Sequence, residues 1–499
     1  MIQGTGSSVG KSIVTAALCR IFYQDGYRVA PFKSQNMSLN SYVTKNNEEI
    51  ARAQVLQAEA CAIEPTAAMN PILLKPSSDM ICQVILRGKV FKNMTAQEYR
   101  NSRPEFKKII REAYQDLRSK YDIVVIEGAG SPAEINLKDA DDIVNMGVAK
   151  MTNSPVILVG DIDKGGVFAS LYGTVMLLEE EERKFLKGII INKFRGDIEI
   201  LKPGIKMMEG LLNMPVLGVI PYMEIRLDEE DGLTEEFFIE QEGEIKVEVL
   251  TLRHISNFTD FLNLRRVNGI SLRFVRMGEK LGKPDILIIP GSKNTIEDLR
   301  ILRKYGYDRD ILELREKGTY IIGICGGYQI LGKKVMDPMG LESSVAEAEG
   351  LGLLDVQTVI LPNKKVFLSE GYVVSDKGLL KGFGGMVVKG YEIHMGETQT
   401  NEQPFLLLTQ RGKNGVEIYE GSVSKDGRIL GTYIHGILDN DGFLEGIINN
   451  VRMEKGLDAI KIEERFFDFK ERELNKLART VRKSLDIEKI YEIIKNGVK

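Results

Sequence analysis

Residues 1–12 read MIQGTGSSVGKS, a glycine-rich stretch that closes on Lys-Ser. The apolar stripe of KSIVTAALCRIFYQDG follows at once, with a glycine stop, and predicts a helix. Glycines and serines ahead of a helix let backbone amides approach phosphate oxygens, and the helix N-terminus faces them with positive potential. The usual motif is G-x-x-x-x-G-K-[ST]. Here Gly4 and Gly10 are separated by five residues, a lengthened variant whose physics is unchanged. Gly6, Ser7, Ser8 and Gly10 supply the cradle, Lys11 bridges phosphates, and the Ser12 hydroxyl binds Mg²⁺. A glycine turn before a helix is the plainer reading, and the terminal Lys-Ser argues against it. Only three residues precede Gly4, so the first strand is expected to be very short.

Working outward, YRVAPFK (27–33), YDIVVIEGAG (121–130), PVILVGD (155–161) and KGIIINKF (187–194) read as strands, and EEIARAQVLQAEACAI (48–63) as a helix. Strands apolar throughout and separated by helices indicate a parallel sheet covered on both faces. Ligands of such sheets bind at the carboxyl ends of the strands. Glu127 closes one strand; a carboxylate beside phosphate is repulsive unless it holds a cation, so Glu127 is the expected metal ligand with Ser12. GDIDKGG adds Asp161, Asp163 and Lys164. Asn192 ends another strand, where it pairs with a base edge or forms a turn. Lys33, Ser34, Gln35 and Asn36 end the second strand facing the phosphates.

The chain has 499 residues, a length that as a prior corresponds to two to four domains. It is 43% apolar and 28% charged, ordinary globular material. A net charge of -4 argues against a nucleic-acid binder. No apolar run approaches the roughly 18 residues of a membrane span. No signal peptide is visible, and Cys19, Cys61, Cys82 and Cys325 are scattered without a CxxC, which fits a reducing cytoplasm. An acidic linker is expected at 226–245, after a first domain at 1–225.

A second α/β set follows at 246–450, with IKVEVLTL, DILIIPGS, TYIIGICGG, KGYEIHMG and ILGTYIHG. In YIIGICGGYQILG (320–332) an apolar strand meets Cys325, two glycines and a helix, the shape of a nucleophile elbow. The helix start favours thiolate, and the Gly326 amide faces a developing oxyanion. Gly291, in IIPGSKNT, is the candidate for the second amide. The base comes from three histidines. His435 and His394 both lie in apolar strands, which does not separate them; His254 is third. Residues 451–499 are charged with helical spacing and predict terminal helices packed on the second domain.

GICGGYQ with YIHG resembles the class I, triad-type glutamine amidotransferases. QGTGSSVGKS, IEGAGS and NKFRGD resemble the dethiobiotin synthetase-like ATP-dependent carboxylate enzymes. Together, in this order and over nearly the whole chain, they resemble the cobyrinic and cobyric acid amidases. The resemblance implies two doubly wound parallel-sheet α/β domains, P-loop then glutaminase, with C-terminal helices. It implies a ligase using ATP, Mg²⁺, glutamine and a corrinoid. PFKSQNMSLNS, MNPILLKP, EGAGSPAEINL, DIDKGGVFASLYGT and GYEIHMG resemble the branch that amidates the b, d, e and g carboxylates of the adenosylated a,c-diamide. The sister branch that makes the a,c-diamide, and a partner-binding P-loop ATPase without glutaminase activity, are the alternatives. By the same resemblance Cys325 is the nucleophile and His435 the catalytic histidine. Lys33, Ser34, Gln35, Asn36 and Lys75 then position the corrinoid rim. Triad relatives often place Glu two residues after the histidine; here that residue is Ile437. The orienting group of His435 is left open among Glu392, Glu397, Asp439 and a backbone carbonyl. A sheltered ammonia route between the domains is expected.

Overall fold

The computed structural model describes residues 1–77, 81–136, 142–225, 227, 238 and 241–498. Most of the expected acidic linker lies outside the described residues.

The strand Ile2–Gly4 is as short as the sequence predicts. It nevertheless pairs in parallel with Val156–Asp161, which pairs with Leu186–Phe194, and that with Val216–Pro221. A parallel bridge from Ile2 to Glu127 joins the pair Val29–Phe32 and Ile123–Ile126 to this sheet. The β-branched strands are buried because helices cover both faces, among them Lys11–Gln24 and Val167–Leu177.

Two departures shape the first domain's site. Gln35–Met37 is a strand of its own, parallel to Ile72–Pro76 in a four-stranded sheet with Ile81–Leu86 and Lys89–Thr95. The segment expected to be helical from residue 48 begins instead as a strand: Glu49–Ala51 pairs antiparallel with Ser41–Val43, and the helix runs only from Arg52 to Ala60.

In the second domain Ile270–Val275, Ile245–Leu250, Ile286–Ile289, Tyr320–Ile324 and Ile429–Thr432 form a parallel sheet in that order, with Ser422–Val423 antiparallel at one edge. KGYEIHMG is not part of it. It lies within Val387–Thr400, which pairs antiparallel with the eighteen-residue strand Val356–Val373. A register shift between Ile360 and Lys365 bulges this ribbon. Chain 434–435 passes from the parallel sheet into the antiparallel one, so His435 sits at the seam of the two.

The C-terminal helices Phe466–Ser484 and Ile487–Asn496 do not pack on the second domain as expected. Leu474, Leu477, Ala478 and Val481 join the core of Leu18, Ile21 and Phe22 in the first. Arg482 pairs with Asp25 at 2.7 Å, and Arg20 with Glu471. The amphipathic pattern specified a buried face, and the open apolar side of Lys11–Gln24 received it.

Candidate active sites

The glycine-rich loop turns into its helix at Gly10, whose φ of 94° favours glycine; a Cβ there would lie 2.2 Å from the Asn192 amide nitrogen. Lys11 is buried, and its ammonium donates to Gly6 O at 2.7 Å and Gly130 O at 3.1 Å. Ser12 Oγ donates to Glu127 Oε1 at 2.8 Å. The same carboxylate accepts from Lys33 Nζ at 2.9 Å and from Gln57 Nε2 at 2.6 Å. Burial alone raises a carboxyl pKa, but Lys33, Gln57 and Ser12 outweigh it and hold that of Glu127 below the ordinary value. The expected metal pair, Ser12 and Glu127, is therefore brought into contact.

Asn192 points at the loop: its amide donates to Val9 O at 2.9 Å, while Lys193 bonds Ser8 O at 2.7 Å and pairs with Asp161 at 3.1 Å. Ser8 itself sits at φ 58°. Asp163 pairs with Arg195 at 2.9 Å, and Ser7 and Lys164 are exposed. Of the expected substrate residues, Ser34 donates to Ile143 O at 2.6 Å, Gln35 accepts from the Tyr99 hydroxyl, and Asn36 donates to Gln54 at 2.8 Å. Lys75 lies deeper, at the domain interface. Its ammonium meets Glu49 at 2.6 Å and Ser41 Oγ at 2.7 Å, and Lys364 of the second domain reaches the same Glu49 at 2.6 Å. Lys364 is carried by the bulged ribbon. Burial, with Lys75 and Lys293 nearby, brings its pKa down to about 7 against the pull of Glu49.

Cys325 occupies the turn between Tyr320–Ile324 and the helix Gly326–Leu331 with φ 52° and ψ -108°. A non-glycine residue there stores about 1–3 kcal/mol of strain, which the surrounding packing must maintain. A Cβ on Gly326 would lie 2.6 Å from Ser292 N, and one on Gly327 1.9 Å from Ile289 O. The elbow thus presses against segment 286–292 with only glycine able to fit. A Cβ on Gly291 would lie 3.3 Å from His435 Cε1, so elbow, candidate oxyanion strand and imidazole converge.

His435 Nδ1 is 2.6 Å from Asp260 Oδ2, and the other carboxylate oxygen accepts from Gly436 N at 2.9 Å. Its Nε2 is buried without a conventional hydrogen-bond partner. Burial disfavours the imidazolium, but the charge and hydrogen bond of Asp260, with the neighbouring Cys325, push the pKa up to about 10. None of Glu392, Glu397 and Asp439 orients the ring. Glu392 is taken by Arg411 at 2.6 Å and Ser369 at 2.7 Å. Asp260 was missed because it comes from a helix, Phe258–Arg266, remote in sequence. Its signal was present: a carboxylate framed by Phe258, Phe261 and Leu264, all buried.

The other histidines are occupied. His394 stacks on Tyr433 with centroids 3.8 Å apart and its Nδ1 meets Gly396 O at 2.8 Å; burial pulls its pKa down. His254 meets Asp298 at 3.0 Å. A small cavity is lined by Cys325, Gln329, Ser292, His394 and Lys364 and by Lys75 of the first domain. Among the described residues, no helix is long and apolar enough to cross a membrane.

Residues 1–233 match the family model of the CobQ/CobB/MinD/ParA nucleotide binding domain, and residues 246–443 that of the CobB/CobQ-like glutamine amidotransferase domain. The chain is 56% identical to a cobyric acid synthase of Thermoanaerobacter sp. (strain X514), covering 99% of this chain and 98% of that protein. It is 52% identical to a cobyric acid synthase of Alkaliphilus metalliredigens, covering 99% of each. Among solved structures, PurLQS from Thermotoga maritima aligns over 47% of this chain and 98% of its own, at 16% identity and a TM-score of 0.30.

Proposed function

The chain belongs to the cobyric acid synthase family, and from that premise we propose how its two sites carry out one reaction. It is a glutamine-hydrolysing amido-ligase with a nucleotide-binding domain. A carboxylate does not react with ammonia at neutral pH, because its oxygen is a poor leaving group. Transfer of the terminal phosphoryl group of ATP makes that oxygen a good one. Lys11 and the loop amides around Gly6–Gly10 hold the triphosphate. The contact of the Ser12 hydroxyl with the Glu127 carboxylate fits Mg²⁺, which takes one or two protein oxygens and leaves the rest to phosphate and water. When bound, Mg²⁺ neutralises charge on the phosphate oxygens. Lys33, beside Glu127, orients the substrate carboxylate, with Ser34, Gln35 and Asn36 on the same segment and Lys75 at its far side.

In the second domain the Cys325 sulfur, its proton already held on His435 Nε2, attacks the side-chain amide carbon of glutamine. The Gly326 and Gly291 amides face the oxyanion. His435 returns the proton to nitrogen, ammonia leaves, and water hydrolyses the thioester to glutamate. Ammonia then displaces phosphate from the activated carboxylate. The observation that supports this reading best is that Cys325 and Lys75 of the first domain line one small cavity. The substrates we assign are the b, d, e and g carboxylates of adenosylated cobyrinic acid a,c-diamide, in a cytoplasm that supplies ATP and glutamine.

Incubation with MgATP, glutamine and each corrinoid tests the assignment. Four successive amidations of the a,c-diamide are expected. Amidation of the unamidated acid alone would transfer the chain to the sister branch.

A further inference from the structure

The segment that begins at the phosphate site ends against the glutaminase. Lys33 meets Glu127, Gln35–Met37 pairs with Ile72–Leu74, and within a few residues the chain enters the second domain's catalytic corner. Two buried asparagines exchange bonds there. Phe258 N donates to Asn40 Oδ1 at 3.1 Å, and Ser41 N donates to Asn257 Oδ1 at 2.8 Å. Asn257, at φ 52°, is the residue on which the Asp260 helix starts, and Asp260 N bonds its carbonyl at 3.0 Å. The next residue, Tyr42, sets its ring edge-on to Tyr391 at 4.9 Å, and Tyr391 stacks on His435 at 5.3 Å and 22°. Arg52 lies over the Tyr42 ring at 5.1 Å, and Val43 closes a small core with Tyr391 and Ile393. Ile393 O in turn receives the Cys325 thiol at 3.7 Å.

Both members of the Asp260–His435 pair therefore rest on first-domain residues that touch no reacting atom. We infer that Asn40 and Tyr42 are positioning residues of the glutaminase: the synthetase domain completes the geometry of the thiol site through them. The asparagine exchange fixes where the acid-bearing helix starts, and the aromatic stack fixes the plane of the imidazole. Neither residue is needed to hold glutamine, so the effect falls on turnover rather than affinity. The inference rests on the glutaminase reading of Cys325 and His435.

The test compares Tyr42→Ala, Tyr42→Phe and Asn40→Ala with the wild-type full chain. Glutamate release gives kcat and KM for glutamine, ammonium-supported amidation reports the other domain, and thermal melting reports the fold. A small misplacement of catalytic groups costs on the order of 10- to 100-fold, so Tyr42→Ala is expected to lose about that much in kcat. Its KM and ammonium-supported activity stay near wild type. Tyr42→Phe, which keeps the ring, restores kcat, and Asn40→Ala behaves as Tyr42→Ala does. Unchanged kcat, a Phe variant as poor as the Ala variant, or equal loss of both activities would overturn the inference. If the wild type releases glutamate but amidates no corrinoid, the substrate assignment fails separately. The kcat and rescue comparison is still read.

Discussion

The two sites of this molecule are built on opposite plans. At the thiol site the reactive geometry is fixed in advance. Cys325 is held in a strained turn, His435 lies 2.6 Å from Asp260, and its Nε2 has no conventional bond to lose. At the phosphate site Lys11, Lys33 and Glu127 already have protein partners. Lys11 bonds two loop carbonyls, and Glu127 accepts from Ser12, Lys33 and Gln57. Covalent catalysis needs a nucleophile and base whose distance does not vary, so strain and burial are tolerated there. Phosphate binding needs charges that exchange internal bonds for ligand bonds, so they are kept hydrogen-bonded within the protein. The first plan is rigid and the second exchangeable.

The largest expected effect tests whether the two plans are separable. Cys325→Ala removes the proposed nucleophile, and glutamine-dependent amidation should fall by about 10⁴-fold or more, while ammonium-supported amidation persists. A folded variant that loses both would show that the thiol is not the ammonia source. Lys11→Ala makes the reciprocal cut. Glutamine- and ammonium-dependent synthesis should both drop, by about 10³-fold, because the phosphoryl group is no longer clamped; glutamate release should survive. Unchanged ammonium-dependent turnover in that variant removes Lys11 from the phosphate site.

A smaller effect probes the rigidity of the thiol site. Asp260→Asn keeps the size of the side chain but removes the charge that favours the imidazolium. Glutaminase kcat should fall by about 10²- to 10³-fold, with ammonium-supported synthesis spared. The pH profile carries the sharper reading. The folded pKa of His435 is raised to about 10, so the cation is present at neutral pH and is lost as pH rises through that value. Its contribution to stability has the same sign: complete below the ordinary histidine pKa near 6.5 and gone above about 10. The alkaline limb of glutamate release should therefore lie near pH 10 in the wild type and move toward the ordinary histidine range in Asp260→Asn. An unmoved limb would mean that another group sets the charge.

What the sequence disclosed follows from how each feature is built. The phosphate loop is one contiguous stretch, so glycine spacing and a Lys-Ser end suffice to find it, along with the short first strand. Cys325 is legible because strand, thiol, two glycines and helix are adjacent in the chain. Asp260 is 175 residues from His435, and only tertiary structure joins them. The candidates left open by the sequence were Glu392, Glu397, Asp439 and a backbone carbonyl, and Glu392 is spent on Arg411. Apolar runs do not state strand direction, so KGYEIHMG reads like the parallel strands although it belongs to an antiparallel ribbon. The four-stranded sheet within residues 35–95 is legible as motifs but not as a sheet, because three-residue strands such as Gln35–Met37 carry no periodicity.

The smallest effect on chemistry concerns the C-terminal helices, and it separates the domains by stability rather than by activity. Leu477 is fully buried in the core it shares with Leu18, Ile21 and Phe22 of the phosphate-loop helix. Truncation to Ala removes a buried isobutyl group and leaves a cavity, at a cost of about 2–5 kcal/mol. The second domain has its own core, built from Ile245, Ile321, Phe443 and their neighbours, which the C-terminal helices do not enter. Leu477→Ala should therefore lower the melting transition that saturating nucleotide raises, since a ligand stabilises the unit that binds it. A transition raised by a glutamine analogue at Cys325 should move much less. If instead the glutaminase transition shifts, the two helices belong energetically to the second domain, and the exchangeable site is not the one they support.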